Sequence, residues 1–166
     1  MGSTMSYTTN PTINYVAMGR GLTAAGSMDD FSLSYIQTFS GWIAGYDVAS
    51  QDGVNDDPDG DGTENGVENY FGTNPAVFSQ GLVSCAVDSG AGTFTFTHPI
   101  NSAPATDLTA AYRWSKDLVT FHADETSFEG TTVTFTEGAP SGGFMTVTAT
   151  VTGTPLTKLF VDVSAT

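Results

Sequence analysis

The sequence predicts a mainly β protein, with an immunoglobulin- or fibronectin-like β-sandwich at residues 81–166 and a short helix–loop–helix unit at residues 39–75 before it. Three observations support this class. After residue 81, apolar residues alternate with Thr in several short segments, which is the period of half-exposed strands. Gly, Pro, Ser and Asn fill the gaps between these segments, as expected for turns. Between residues 39 and 72 the apolar spacing changes to three and four residues, the period of a helix.

Residues 1–38 are predicted to be an N-terminal extension. It contains two short apolar runs, NYVAMGRGL (14–22) and MDDFSLSYI (28–36), and the second alternates Phe31, Leu33 and Tyr35 at strand spacing. Two strands alone are marginally stable. We therefore expect this segment to pack on a later part of the chain, to pair with another copy, or to be the remnant of a preceding sandwich domain.

The first predicted helix begins at residue 39. Phe39, Trp42, Ile43 and Tyr46 lie at i, i+3, i+4 and i+7, which forms one apolar stripe. Trp42 is expected to pack in the core of the helical unit.

The second predicted helix lies at residues 65–72. Val67, Tyr70 and Phe71 form its stripe, and Gly72 is a suitable residue to end it. We expect this stripe to pack on Trp42 of the first helix or on the sandwich.

Short strands with regular turns make up the rest of the chain, and about seven of them are expected. Apart from the apolar stretch LVSCAV (82–87), the alternating segments are 93–98, 110–115, 119–122, 131–136, 145–151 and 159–163.

The chain has one cysteine, Cys85, which excludes disulfides within the chain and thiolate zinc clusters. Its apolar neighbours predict a small buried residue, and a reactive thiol is the alternative.

The charge is strongly negative, with 18 acids against 4 bases. Phosphate binding needs clustered Lys and Arg, so we expect no nucleic-acid partner. No apolar run is long enough to cross a bilayer, which predicts no membrane insertion. No basic segment followed by an apolar core is visible at the N-terminus, so the sequence shows no signal peptide.

The segment DPDGDGTENGVE (57–68) carries the most specific chemistry in the sequence. Calcium takes six to eight oxygen ligands, and a twelve-residue loop supplies them from positions 1, 3, 5, 7, 9 and 12 with Gly at position 6. Gly62 stands at position 6. The alternative is a solvated acidic turn. The predicted Ca²⁺ ligands are Asp57, Asp59, Asp61, Thr63 through its carbonyl, Asn65 directly or through water, and Glu68.

DPDGDGTENGVENYFGTNP resembles the calcium repeats of dockerins and of thrombospondin type 3 segments. It differs from a true EF-hand because the first apolar stripe ends near Val48, well before Asp57. Dockerins have two such loops and this chain has one, so the resemblance does not extend to cohesin binding.

Residues 39–166 also resemble the C-terminal, non-catalytic modules of large secreted or surface proteins of aquatic bacteria. The motifs that carry the likeness are WIAGYDV, NDDPDGDG, ENYFGTNP, TFTFTHP, AYRWSKDLVTFH and a final LFVDV. In those proteins the module follows a lectin-like or carbohydrate-binding sandwich, and MDDFSLSYI resembles the last strand of such a domain. The resemblance implies an accessory role at the cell surface or outside the cell.

The predicted function is therefore a non-catalytic, calcium-stabilised module for spacing, adhesion or presentation, with a glycan or an extracellular protein as its partner. A carbohydrate-binding module is the first alternative. Tyr112, Trp114 and Phe121 would then form an aromatic platform for sugar, although inward-facing strand aromatics more often form a sandwich core.

A small esterase-type hydrolase is the second alternative. Ser115, His122 and Asp124 lie close together in WSKDLVTFHAD, but the chain has no G-x-S-x-G nucleophile elbow.

Overall fold

The computed structural model describes residues 36–166. The two apolar runs predicted to form strands at 14–22 and 28–36 lie outside these residues, except for Ile36. Helices and strands follow in the order α1 (Phe39–Ile43), α2 (Asn65–Phe71), β1 (Ser84–Asp88), β2 (Thr93–Pro99), β3 (Ala110–Ser115), β4 (His122–Ala123), β5 (Ser127–Phe128), β6 (Thr131–Glu137), β7 (Phe144–Gly153) and β8 (Phe160–Ala165).

The eight strands form two antiparallel sheets, which confirms the mainly β prediction and is consistent with a sandwich. The larger sheet, called sheet A here, has the order β1-β2-β7-β6-β5, and sheet B has the order β4-β3-β8. The alternation of apolar residues with Thr sets the register, because a shift of one residue would turn every apolar side chain outward. Phe96 thus lies opposite Val147, and Thr97 opposite Thr146.

The core lies between the two sheets. Trp114 on β3 is fully buried, and Tyr112 on the same strand is almost so. They face buried side chains of sheet A, among them Phe96, Val133 and Val147.

The strand predicted at 119–122 is wrong for most of its length, because β4 begins only at His122. One Asp117 carboxylate oxygen accepts the N–H groups of both Val119 and Thr120, each at 2.9 Å. These bonds compete with strand pairing and form a turn, in which Leu118 has a φ of 63°.

α1 is also shorter than its apolar stripe. The side chain of Thr38 caps its start by accepting the N–H of Gly41 at 3.2 Å. After Ile43 the chain continues as tighter turns, in which Tyr46 N–H donates to the Ile43 carbonyl. Tyr46 still packs on Trp42, with ring centroids 4.9 Å apart.

The two helices bury their stripes in different places. Trp42 of α1 packs with Phe39, Ile43, Val48 and Ala105, and not in the cluster of Val67, Tyr70 and Phe71 on which it was predicted to pack. Val67 and Phe71 of α2 pack instead with Ala165 at the end of β8.

Gly66 explains the close approach of α2 to β8. A Cβ atom there would lie 3.0 Å from the Cβ of Ala165 and 2.6 Å from Val54 Cγ1. Gly72 ends α2 in the left-handed conformation with φ 80°, as predicted.

Cys85 is exposed, so the prediction of a buried thiol is wrong. It lies opposite Phe96 on the inward face of sheet A. Within residues 36–166, sheet B has three strands and these do not cover β1, all five residues of which are exposed.

No helix within residues 36–166 has the length and hydrophobicity that a membrane span requires.

Candidate metal site

The predicted loop is folded by its own carboxylates. Asp57 accepts the N–H of Gly60 through Oδ1 and the N–H of Gly62 through Oδ2, both at 2.9 Å. Gly60 and Gly62 have φ values of 75° and 89°, which side chains rarely adopt. The DPDGDG spacing therefore brings the backbone back to the Asp57 carboxylate twice, at Gly60 and at Gly62.

The turn gathers the first three predicted ligands. Asp57, Asp59 and Asp61 are partly buried and each offers a carboxylate oxygen within 4.8 Å of the other two, so the group could hold a metal ion. Asp61 is positioned from both sides: its Oδ1 accepts Thr63 N–H at 2.7 Å and its Oδ2 accepts Ser79 N–H at 2.9 Å. Asp59 Oδ1 accepts the N–H of Asp61, and its buried Oδ2 has no partner among the described residues.

Glu68 approaches from the first turn of α2 and is fully buried. Its Oε1 accepts the hydroxyl of Thr73 at 3.1 Å, while its Oε2 is buried without a partner in residues 36–166. Burial raises the pKa of Glu68 to about 7. The Thr73 hydrogen bond lowers this pKa, and the charges of Asp59, Asp61 and Asp57 raise it further. A buried carboxylate in this state needs either a proton or a cation.

Asn65 is fully buried at the first residue of α2. Its amide nitrogen donates to the carbonyls of Gln51 and Gly53, both at 2.9 Å. Its Oδ1 accepts no hydrogen bond within the described part of the chain. Asn65 thus ties the preceding loop to α2 and keeps an oxygen available.

Burial also raises the pKa of Asp59, with Asp61 and Asp57 adding to the effect and the Asp61 N–H opposing it. These side chains offer oxygen atoms and no nitrogen or sulfur ligand. Such a donor set suits a hard cation such as Ca²⁺ or Mg²⁺. No other group of three or more His, Cys, Asp or Glu side chains in residues 36–166 meets the same distance criterion.

Four residues that support the site escaped the sequence analysis: Thr73, Ser79, Gln51 and Gly53. Thr73 follows the predicted helix end Gly72, so a fold back onto Glu68 could have been considered. The other three have no local signal, because they act through backbone groups.

The three hydrolase candidates make separate contacts. Ser115 is fully buried and donates its hydroxyl to Asp117 at 3.0 Å. Asp124 accepts the N–H of Phe135 at 2.8 Å. His122 stacks on Phe128, with ring centroids 4.3 Å apart, and no hydrogen bond among residues 36–166 joins it to Ser115 or Asp124.

The three aromatic candidates do not share an exposed face. Tyr112 and Trp114 point into the sandwich core. Phe121 lies outside it, half-buried, with the Arg113 guanidinium 5.3 Å from its ring centroid.

No family model matches the chain, and the searches of curated proteins and of solved structures also returned no match.

Proposed function

We propose that residues 57–68 bind Ca²⁺ and that the bound ion stabilises a non-catalytic accessory module of an extracellular or surface protein. The observation that carries this proposal is the buried Glu68 carboxylate with an unpartnered oxygen, whose pKa is raised by burial and further by three neighbouring aspartates. A buried negative charge without an opposite charge beside it destabilises the fold, and a bound cation would supply that opposite charge. The ligands would be Asp57, Asp59, Asp61, the Thr63 carbonyl, Asn65 and Glu68.

Hydrogen bonds of α2 connect the proposed ion site to the sandwich. Besides Glu68, the helix carries Asn69, whose Oδ1 accepts the N–H of Ala105 at 2.8 Å. Asn101 donates its side-chain amide to the Asn69 carbonyl and its N–H to the Tyr70 carbonyl. Tyr70 also meets Tyr112 of the sandwich core, hydroxyl to hydroxyl, at 3.1 Å. An ion that fixes Glu68 therefore also fixes the attachment of α2 to the sandwich.

The strand order supports an immunoglobulin-like assignment of the sandwich. In that fold one sheet has the order A-B-E-D and the other contains C-F-G. In sheet A, β1, β2, β7 and β6 take the places of A, B, E and D, and in sheet B, β3 and β8 take the places of C and F.

An extracellular setting agrees with the expected affinity. Modules that work outside cells bind Ca²⁺ with Kd values of about 10⁻⁴–10⁻³ M. At a ligand concentration of 100 times Kd, binding stabilises the folded state by about 2.7 kcal/mol. For a domain of this size that corresponds to a rise in Tm of roughly 5–10 °C.

Thermal unfolding in EDTA and in 10 mM CaCl₂ tests the proposal. We expect the wild type to melt higher in Ca²⁺, and the variant with Asp59→Ala and Glu68→Gln to lose this difference. Asp47→Asn is the matched control, because Asp47 is an exposed acid outside the loop and its removal should leave the calcium effect unchanged. Equal melting temperatures of the wild type in both buffers, with no heat in a calorimetric Ca²⁺ titration, would overturn it.

Mg²⁺ at the same concentration provides a second comparison. It prefers six ligands in near-ideal octahedral geometry and keeps several waters. We therefore expect a smaller rise in Tm with MgCl₂ than with CaCl₂.

A further inference from the structure

The sandwich is open along one side. β1 is hydrogen-bonded only to β2, and β8 only to β3, so each leaves one edge unpaired among the described strands. A cleft lies between these two edges. It has one hollow of about 410 Å³ beside α2 and another of about 570 Å³ beside the β7–β8 connection, and Phe94 borders both.

The floor of the cleft is apolar and exposed. In the antiparallel register, Cys85 and Val87 of β1 lie opposite Phe96 and Phe94, so they share the inward face of sheet A. Val87 is nevertheless 72% exposed, and Val83, which also borders the cleft, is 51% exposed. Apolar side chains that entered the cleft from beside β8 would cover these residues and remove apolar surface from water.

The outer edge of β8 is able to pair with one more strand. Natural sheet edges are often protected by Lys, by Pro or by a bulge, each of which hinders pairing. Phe160–Ala165 contain neither Lys nor Pro. Apart from the ladder with β3, no backbone hydrogen bond between described residues involves them. An extended peptide placed there gains main-chain hydrogen bonds, and its alternate side chains enter the cleft.

Charge decides which kind of peptide fits. Glu64 lines the cleft beside α2, three residues after Asp61 of the candidate metal loop. Arg113 lines the same part, but its guanidinium is paired with Asp162. Lys158 lies at the other end of the cleft. A second copy of this chain would bring another net charge of −14, which repulsion disfavours, whereas a positively charged segment is attracted to the end beside α2.

We propose that this cleft binds an extended peptide segment of another protein, in which apolar residues alternate with polar ones and Lys or Arg lie at one end. The segment pairs with the free edge of β8, and its apolar side chains cover β1. Its basic end lies beside Glu64. This inference does not depend on calcium binding, because Glu64 is not among the proposed ligands.

The direction of the segment follows from β8. Every strand pair in residues 36–166 is antiparallel, and antiparallel pairing is slightly more stable per residue than parallel pairing. β8 ends beside α2, where Ala165 packs with Val67 and Phe71. A segment antiparallel to β8 therefore begins beside α2, and its basic residues are at its N-terminal end.

The probe is the heptapeptide KVKVTVT, acetylated and amidated at its ends. Cys85 reports occupancy, because it is the one thiol of the chain and lines the cleft. At a peptide concentration of about ten times Kd, Cys85 should react with N-ethylmaleimide about tenfold more slowly, since about nine-tenths of the protein is then bound. The reversed peptide TVTVKVK should bind more weakly. KVKVPVT keeps the charges and the valines but cannot continue the strand, so it should not protect the thiol.

Glu64→Gln tests the contribution of charge. It should raise the Kd of KVKVTVT about two- to fivefold, the range that an exposed ion pair supplies. Glu125→Gln is the matched control, because Glu125 is an exposed acid between β4 and β5, at the opposite edges of both sheets. Equal effects of the two substitutions, or equal protection by KVKVPVT, would mean that only the net charge attracts the peptide, and would overturn the proposal.

Amide hydrogen exchange gives an independent readout. KVKVTVT should slow exchange in β8 and not at His122 and Ala123 of β4, the other edge of sheet B. No slowing in β8 at about 1 mM peptide, where a Kd of that size corresponds to about −4.1 kcal/mol, would contradict the assigned edge. A Cys85 thiol already protected in the free protein would show that the cleft is filled. Protection that increases with protein concentration would assign it to a second copy, constant protection would assign it to this chain itself, and either would overturn the proposal.

Discussion

Glu68 is expected to make the calcium-free protein less stable as the pH rises. Its pKa is raised from 4.5 to about 7 in the folded state by burial and by three aspartates. Between these two values the unfolded chain releases the proton and the folded chain keeps it. Stability from this group is therefore complete below about pH 4.5 and is lost as the pH rises to 7. The difference between these two pKa values corresponds to roughly 3 kcal/mol of unfolding free energy, at about 1.36 kcal/mol per pH unit.

His98 acts in the opposite direction over part of this range. It is fully buried, and burial lowers its pKa below 6.5, so the unfolded chain binds the extra proton as the pH falls. Its contribution therefore increases as the pH rises toward 6.5. The wild-type profile alone would mix both effects.

Glu68→Gln separates them, because the amide keeps the size of the side chain and an acceptor for Thr73 but cannot ionise. The assay is urea denaturation in EDTA at pH 5 and at pH 8 for both proteins. Relative to the variant, the wild type should lose about 2.5 kcal/mol between these pH values, because part of the loss has already occurred at pH 5. Saturating Ca²⁺ should remove most of this loss, since the ion replaces the proton. A difference between the two proteins that does not change with pH in EDTA would refute the reasoning.

Three further substitutions test the packing. Gly66→Ala should lower the unfolding free energy by about 1–2 kcal/mol in urea, because a Cβ 2.6 Å from Val54 Cγ1 outweighs the better helix propensity of Ala; greater stability would contradict the close approach of α2 to β8. Tyr112→Phe should cost about 1–3 kcal/mol, since its hydroxyl contacts His98 Nε2 at 2.9 Å and Tyr70; an unchanged denaturation midpoint would show that these groups find other partners. Trp114→Ala should lower the unfolding free energy by about 3–5 kcal/mol, whereas Val119→Ala, at a residue that is 82% exposed, should change it by no more than about 0.5 kcal/mol. Comparable losses in the two variants would be inconsistent with the described core.

The strands in which apolar and polar residues alternate strictly were predictable from sequence. The apolar face of each such strand predicts which side chains enter the core. Residues 110–115 form β3 with the predicted bounds, and Tyr112 and Trp114 point into the core. In residues 119–122 the local pattern was equally apolar, but the Asp117 carboxylate holds the chain in a turn. Such side-chain bonds depend on geometry that the spacing of apolar residues does not encode.

Cys85 illustrates a different limit. Its position on the inward face of sheet A follows from the alternation in β1 and its register with β2. Whether that face is covered depends on the number of strands in the opposite sheet, which no local segment specifies. The exposure of the thiol therefore could not be predicted from LVSCAV.

The candidate site shows the same division. The spacing of Asp57, Asp59 and Asp61 was enough to predict that their carboxylates converge. The contact between Ser79 N–H and Asp61 spans 18 residues. The unusual pKa of Glu68 arises from burial by the packed fold. Sequence reasoning therefore predicted the grouping of the three aspartates, but not the contact that holds Asp61 or the burial of Glu68.

The acids and bases are unevenly distributed along the chain. Eight of the 18 acids lie between Asp47 and Glu68, and residues 36–112 contain no Lys or Arg; Arg113, Lys116 and Lys158 are all in the sandwich region. The helix–loop–helix unit is thus the more negative part of residues 36–166 and attracts cations from a distance. The association rate for a divalent ion should fall as salt shortens the screening length from about 30 Å at 0.01 M to about 8 Å at 0.15 M. A densely positive surface would attract the module most strongly through this unit.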